Sequence, residues 1–254
     1  MIPFFVQSPL LREVPGVYHA FPGVDPVRGR GLRNQLRQAF SVSPSRVGTL
    51  RQVHSATVLE MKETDTDIPG RRWREGDAIW TATDGTGVGI RTADCVPILL
   101  AHRSLPVCVA IHAGWRGMVA GVIAETVRCI AEAFGPAATA GLVAAAGPSA
   151  KGCCYQVGEE VAAPLRECPG GPRRLTKGKM AGKWNADLQM LAVDALLDAG
   201  IPLRNAEAVG PCTICSPGFH SFRREKSLTG RQLSFIYKWD YTEDFPSPTG
   251  QDIL

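Results

Sequence analysis

His54, Cys95 and His112 constrain this chain more than any other feature. Each stands at the edge of an apolar run and is followed by turn or helix-start residues. Gaps of 41 and 17 residues separate them, so no local finger can bring them together and only a folded core can. Two imidazoles and one thiolate form a donor set for Zn²⁺. Three protein donors leave a fourth position for water or substrate, which a catalytic metal needs and a structural metal avoids.

A chain of 254 residues can bury a full core. No repeat, low-complexity block or linker divides it, so the expectation is a single domain over 1–254, with a core at about 14–239 and a loosely held tail over 240–254. Strand-like and helix-like stretches mix without regular βαβ alternation, which favours an α+β sandwich with helices covering sheets. No apolar run approaches 18 residues, so no membrane span is expected. The start, MIPFFVQSPL, lacks the charged opening of a secretory signal, and a cytoplasmic protein is expected. The net charge is only +4 and the basic residues are scattered, which argues against a nucleic-acid partner. Arginine nevertheless supplies 21 of the 28 basic residues, and guanidinium forks suit small phosphate-bearing substrates.

Along the chain, a strand is read from Val14 to Gly23 and a polar helix from about Arg28 to Phe40. Arg46 to Met61 reads as a strand pair or one long bent strand, and Thr64 to Glu75 as an exposed loop. The runs Asp77–Thr83 and Val88–Thr92, split by Asp84-Gly85, carry a hairpin signal. Val96–Ala101 and Val107–His112 are further apolar runs. Positions 119, 122, 123, 126, 127, 130 and 134, all apolar except Thr126, form a helical stripe that Gly135-Pro136 ends. Leu142–Ala146 suits a buried strand, Gly158–Glu167 a short helix, and Gly170–Lys183 a loop. A helix is expected over Ala186–Ala199, capped by Asn185 and stopped by Gly200. Ala206–Gly210 and Leu233–Trp239 are late strands.

The candidate chemistry clusters around the three donors. Cys95 lies in TADCVP, where Pro97 cannot donate to a sheet ladder and so forces a departure from regular pairing nearby. Asp94 beside a thiol opposes thiolate formation unless a cation is present. Asp77 reads either as a turn residue or as a carboxylate that orients a ligand histidine or transfers a proton. Gly114-Trp115-Arg116-Gly117 joins a strand to a helix start, where free N–H groups and the Arg116 fork attract anions. It lacks the ending of a P-loop. Arg223 and Arg224, with Thr229-Gly230-Arg231 after them, read either as a solvated loop or as an anion or ribose site near the metal. Cys153, Cys154, Cys212 and Cys215 could hold a structural zinc. Adjacent cysteines in extended chain point opposite ways, however, so free thiols are the first expectation.

Three segments carry a resemblance: RQVHSATV, GDAIWTATDGTGVGIRTADCVPILL and VAIHAGWRG. With GPSAKGCCYQVGEEV and FHSFRREKSLTGRQLSFIY, they are similar to the YfiH/YlmD family, also called the multicopper polyphenol oxidoreductase or laccase-domain family. The resemblance covers about residues 14–239. It implies a mixed α-β-β-α sandwich, related at fold level to the cytotoxic necrotizing factor toxin. It implies Zn²⁺ on His54, Cys95 and His112. It implies phosphorolysis of adenosine, inosine, guanosine and methylthioadenosine, with adenosine deamination as a side activity, in a monomer. An older reading gives the family copper-dependent polyphenol oxidation. The chain has only five histidines, too few for a laccase cluster, although a His/Cys/His set also accepts Cu²⁺. A metal-free Cys95–His112 hydrolase and a non-catalytic zinc or redox module stay open as alternatives.

Overall fold

In the computed structural model, which describes residues 5–24, 46–62, 74–226 and 230–238, two mixed sheets pack face to face. The strands are β1 (Phe5–Val6), β2 (Val17–Pro22), β3 (Val47–Gly48), β4 (Val58–Glu60), β5 (Ala78–Thr81), β6 (Gly87–Thr92), β7 (Val96–His102), β8 (Cys108–Ala113), β9 (Leu142–Ala146), β10 (Gln156–Gly158), β11 (Leu175–Lys177), β12 (Lys183–Ala186), β13 (Ala206–Ala208) and β14 (Gln232–Lys238). The helices are α1 (Pro9–Arg12), α2 (Trp115–Val119), α3 (Val122–Phe134), α4 (Glu159–Arg166), α5 (Gly171–Arg174), α6 (Leu188–Asp198) and α7 (Phe222–Glu225). One sheet has the order β13-β9-β7-β8-β5-β4, the other β1-β2-β14-β6-β3, and β10-β12-β11 form a small third sheet.

β7 and β8 are apolar at nearly every position because both of their faces are covered. Side chains alternate across a strand. Ile98, Leu100, Val109 and Ile111 therefore meet α3 and α6 on one face. Leu99, Ala101, Cys108 and Ala110 meet the second sheet on the other. That sheet's far face is lined by Tyr18, Phe235 and Tyr237, all buried. The same alternation turns His112 and Asp77 toward the space between the sheets. The register Ala78↔Ile111 then sets Asp77 opposite His112.

Several elements differ from the sequence expectation. The stretch 46–61 is not one bent strand: β3 joins the second sheet and β4 the first, with an irregular loop around His54 between them. Asp84-Gly85 makes no hairpin, because β5 pairs with β8 while β6 pairs with β14. The turn, with Gly85 at φ 68°, hands the chain from one sheet to the other. The stripe from residue 119 is broken at Gly121, whose φ of 81° ends α2 and starts α3, leaving Val119 exposed. Residues 170–183 are not a plain loop; they hold α5 and β11. Asn185 lies in β12, and Asp187 caps α6 by accepting from Met190 N–H at 3.0 Å. Pro97 stays inside β7. Its carbonyl accepts from Gly147 N–H at 2.8 Å, so its missing donor falls beside chain that has already left β9. The helix expected over 28–40, the loop residues 64–73 and the tail lie outside the described residues.

Candidate active site

His54, Cys95 and His112 meet where β8 ends and β7 begins, and their donor atoms lie within 4.8 Å of one another. His112 is the last but one residue of β8, and Cys95 directly precedes β7. His54 sits in the loop between β3 and β4 with φ 63°, a conformation that side chains avoid unless the surroundings impose it. Its Nε2 lies 3.8 Å from Cys95 Sγ. A Cβ on Gly114 would stand 2.9 Å from that sulfur and 3.0 Å from the His54 ring, so only glycine leaves room for the cluster.

Asp77 organises both histidines. Its carboxylate accepts His112 Nδ1–H at 2.8 Å and the N–H groups of His54 at 3.0 Å and Ser55 at 2.6 Å. The Ser55 hydroxyl and Val53 N–H also donate to it. Consecutive N–H groups converging on one buried carboxylate make a nest, which holds the His54 loop in its left-handed turn. The bond to His112 fixes the proton on Nδ1 and leaves the Nε2 lone pair for a metal.

These contacts set the charge of the site. Burial opposes ionisation of Asp77, but the hydrogen bonds from His112 and Ser55 outweigh it and hold the carboxyl well below the usual range. Burial pushes the Cys95 thiol up, yet hydrogen bonds from His112 and His54, and their charge, bring it down to about 6. Burial favours a neutral His112, while its bonds to Asp77 and Cys95 raise it to about 9. Without metal, the pair is a thiolate beside an imidazolium at neutral pH. A bound cation would take over the partnership with the thiolate and displace the imidazolium proton.

The three donors line a cavity of about 640 Å³. Ligand pockets run to about 300–1,000 Å³. Its other walls pair cations with aromatic faces: Arg116 stacks on Trp115 at 4.2 Å and Arg223 on Tyr155 at 4.7 Å. Arg51, Arg91, Arg231 and Lys226 add further positive charge, and among the described residues Asp94 is the lining carboxylate. Among the described residues, the non-glycine positions with positive φ are His54, Asp94 and Lys226, and all three line this cavity. Strain of this kind, of order 1–3 kcal/mol per residue, collects at functional sites.

The other residues singled out in the sequence divide into two groups. Arg116 and Arg223 reach the cavity. Arg224 does not line it: the guanidinium is used by the carbonyls of Thr213, Ile214 and Phe219 and by Glu225. Gly117 lies inside α2 against the carbonyls of Ser55 and His112, away from the cavity lining. Asp94 turns its carboxylate to Thr213 Oγ1 and Arg223 N–H, each at 2.7 Å, and so anchors the far wall. Sequence reasoning overlooked Gln52, which clamps Arg91 from both sides at 2.7 and 2.8 Å, and Tyr155. Both belong to segments that carry the family resemblance, but neither residue type signals its role by itself.

Sequence comparison identifies the family to which this fold and site belong. A family model described as multi-copper polyphenol oxidoreductase laccase matches residues 25–238, and the chain belongs to this family. A purine nucleoside phosphorylase of Aquifex aeolicus is 39% identical over 176 residues, covering 69% of this chain and 75% of that protein. A protein named adenosine deaminase RL5, from an unknown prokaryotic organism, is 31% identical over 225 residues, covering 86% and 85%. The crystal structure of YlmD from Geobacillus stearothermophilus matches with a TM-score of 0.82 at 24% identity, covering 94% of this chain and all of that one. At that identity the likeness speaks for the fold, and it agrees with the mixed sandwich implied by the resemblance. No helix among the described residues is long and apolar enough to cross a membrane.

Proposed function

We propose that this protein is a zinc-dependent purine nucleoside phosphorylase, with His54, Cys95 and His112 as the metal ligands. One observation carries the reading: a His/Cys/His donor set lies at the wall of a cavity whose lining also includes five arginines and the rings of Trp115, Tyr155 and Phe222. The donors fit the ion. All three can be presented deprotonated on the cavity side, Gly114 leaves the space, and Asp77 supplies the orienting carboxylate usual behind a metal-bound histidine. Zinc held by these residues would supply a Lewis acid beside the cavity.

In phosphorolysis a phosphate oxygen attacks ribose C1′ as the bond from C1′ to the purine nitrogen breaks, and the base leaves with a proton. Arg116 and Arg223 lie where they can hold the phosphate, since planar forks pair with its oxygens. Trp115, Tyr155 and Phe222 offer faces for the purine and ribose. Asp77 keeps the proton of His112 on Nδ1, away from the donor side. Gly114 caps the start of α2 and lies against Cys95 and His54 rather than in the cavity lining. The same site suits attack of water on an adenine ring, and deamination of adenosine is the side activity in this reading. The copper-oxidase alternative is weaker. The remaining histidines are spread apart: His19 accepts Ser8 N–H, His102 accepts Leu105 N–H, and His220 lies beside Glu225. The protein is taken to be a cytoplasmic monomer without a nucleic-acid partner.

The test is phosphate-dependent release of hypoxanthine from inosine by zinc-loaded protein, alongside Cys95→Ala and Arg116→Ala. Product that needs phosphate and disappears in Cys95→Ala supports the reading. Arg116→Ala should raise the KM for phosphate at least about tenfold with a smaller change in kcat, in line with loss of a charge-assisted contact of about 1.5–3 kcal/mol. Base release that ignores phosphate, or that survives Cys95→Ala, overturns it.

A further inference from the structure

We propose that Cys153, Cys154, Cys212 and Cys215 form a second metal site, a closed tetrathiolate for a structural zinc ion. Their four sulfur atoms lie within 4.8 Å of one another, although about 60 residues separate the two pairs. Neighbouring side chains in extended chain diverge. The chain is not extended here. Residues 152–154 form a turn in which Cys154 N–H and Tyr155 N–H both donate to Lys151 O, at 3.0 and 2.9 Å. A tight turn of this kind lets adjacent thiols face one partner.

The second pair has the spacing of a metal knuckle. Residues 213–215 form a turn, and Cys215 Sγ lies 3.9 Å from the Cys212 carbonyl oxygen. The two segments are already laced together without the metal. Thr213 N–H donates to Ser149 O at 3.1 Å, and Lys151 Nζ to Gly210 O at 2.8 Å. Four sulfur ligands at a protein surface, with no coordination position left open, match a structural zinc site rather than a catalytic one. Binding releases the thiol protons to solvent as four Zn–S bonds form, and no redox step is involved.

The ion would act on the cavity by fixing its wall. Tyr155 follows Cys154 directly and carries the ring under Arg223. Thr213 follows Cys212 directly and holds Asp94, next to Cys95. The tetrathiolate therefore ties together the two segments that position Arg223 and Asp94.

The test counts zinc per purified chain in the wild type, in Cys95→Ala, and in a Cys153→Ser/Cys215→Ser double variant whose altered residues are both exposed. Two ions in the wild type and one in each variant support two independent sites. Cys95→Ala keeps its single ion only if the tetrathiolate exists, so failure of the catalytic-site reading and failure of this one are told apart. The same preparation is alkylated under native conditions and mapped by mass spectrometry, which does not depend on any variant folding. Zinc should protect Cys153 and Cys215, and a chelator should expose them. Loss of zinc in Cys95→Ala, bound iron in place of zinc, a disulfide within the group, or alkylation of Cys153 and Cys215 in zinc-loaded protein would each overturn the proposal.

Discussion

Asp77→Asn tests the link between fold and site. The substitution keeps the shape of a buried side chain that accepts hydrogen bonds from Val53, His54, Ser55 and His112. An amide has one oxygen where the carboxylate has two, and its nitrogen can only donate. With the amide oxygen toward His112, the NH₂ group faces the N–H groups of Ser55 and Val53, and the His54 loop is pushed out. Flipped, the NH₂ group faces His112 Nδ1 and drives the ring to the tautomer whose Nε2 carries the proton and cannot bind metal. Either orientation disables one ligand. Loss of an orienting partner costs 10–100-fold in metal affinity, or about 1.4–2.8 kcal/mol. One or two unmatched buried donors cost about 1–3 kcal/mol each, which a domain of ordinary stability survives. The assay is competition for zinc against a chromophoric chelator, with circular dichroism confirming a folded chain. A zinc affinity within about twofold of wild type in folded Asp77→Asn protein would sink the idea that Asp77 organises the ligands.

Other expectations follow from the same contacts. In metal-free protein near pH 7.5, Cys95 at about 6 is ionised and His112 at about 9 is protonated, so zinc binding at this site displaces about one proton, from His112. Calorimetry of the Cys153→Ser/Cys215→Ser variant in buffers of different ionisation enthalpy measures that number, and zero protons would contradict it. His19 is buried, and burial followed by the charge of Arg12 lowers it to about 3, while its Nε2 accepts Ser8 N–H. The unfolded chain binds this proton below about pH 6.5 and the folded chain does not until about pH 3. Stability is therefore fully present above pH 6.5 and falls by up to about 4–5 kcal/mol as pH drops to 3. Urea midpoints for His19→Gln should show a shallower acid limb than wild type; equal slopes would refute this. Leu99→Ala opens a cavity between the sheets beside buried Ile79 and Ile236, and should cost about 2–5 kcal/mol in urea denaturation while leaving zinc stoichiometry unchanged.

By itself, the sequence determined the strands that are apolar on both faces, β7, β8 and β9, because two-sided burial removes the need for polar alternation. It also determined the ends of α3 and α6, where glycine stops a stripe of apolar residues, and it singled out the three donors by residue type and setting. Pairing partners were decided elsewhere. Nothing local to Asp84-Gly85 says that the strands on either side enter different sheets, since that depends on which distant strand buries each face. The left-handed His54 was equally hidden, because its conformation is imposed by Asp77, 23 residues away. Arg223 and Arg224 look alike in sequence, yet tertiary contacts seat Arg223 in the cavity wall, with one bond to the Gln156 carbonyl, and turn Arg224 away to the carbonyls of Thr213, Ile214 and Phe219. The direction of the Cys153 and Cys154 side chains was hidden for a related reason: it is set by a turn that packing against residues 210–215 stabilises. Hydrophobic pattern is a local property and is readable along the chain; the partner of a buried polar group is a property of the folded whole.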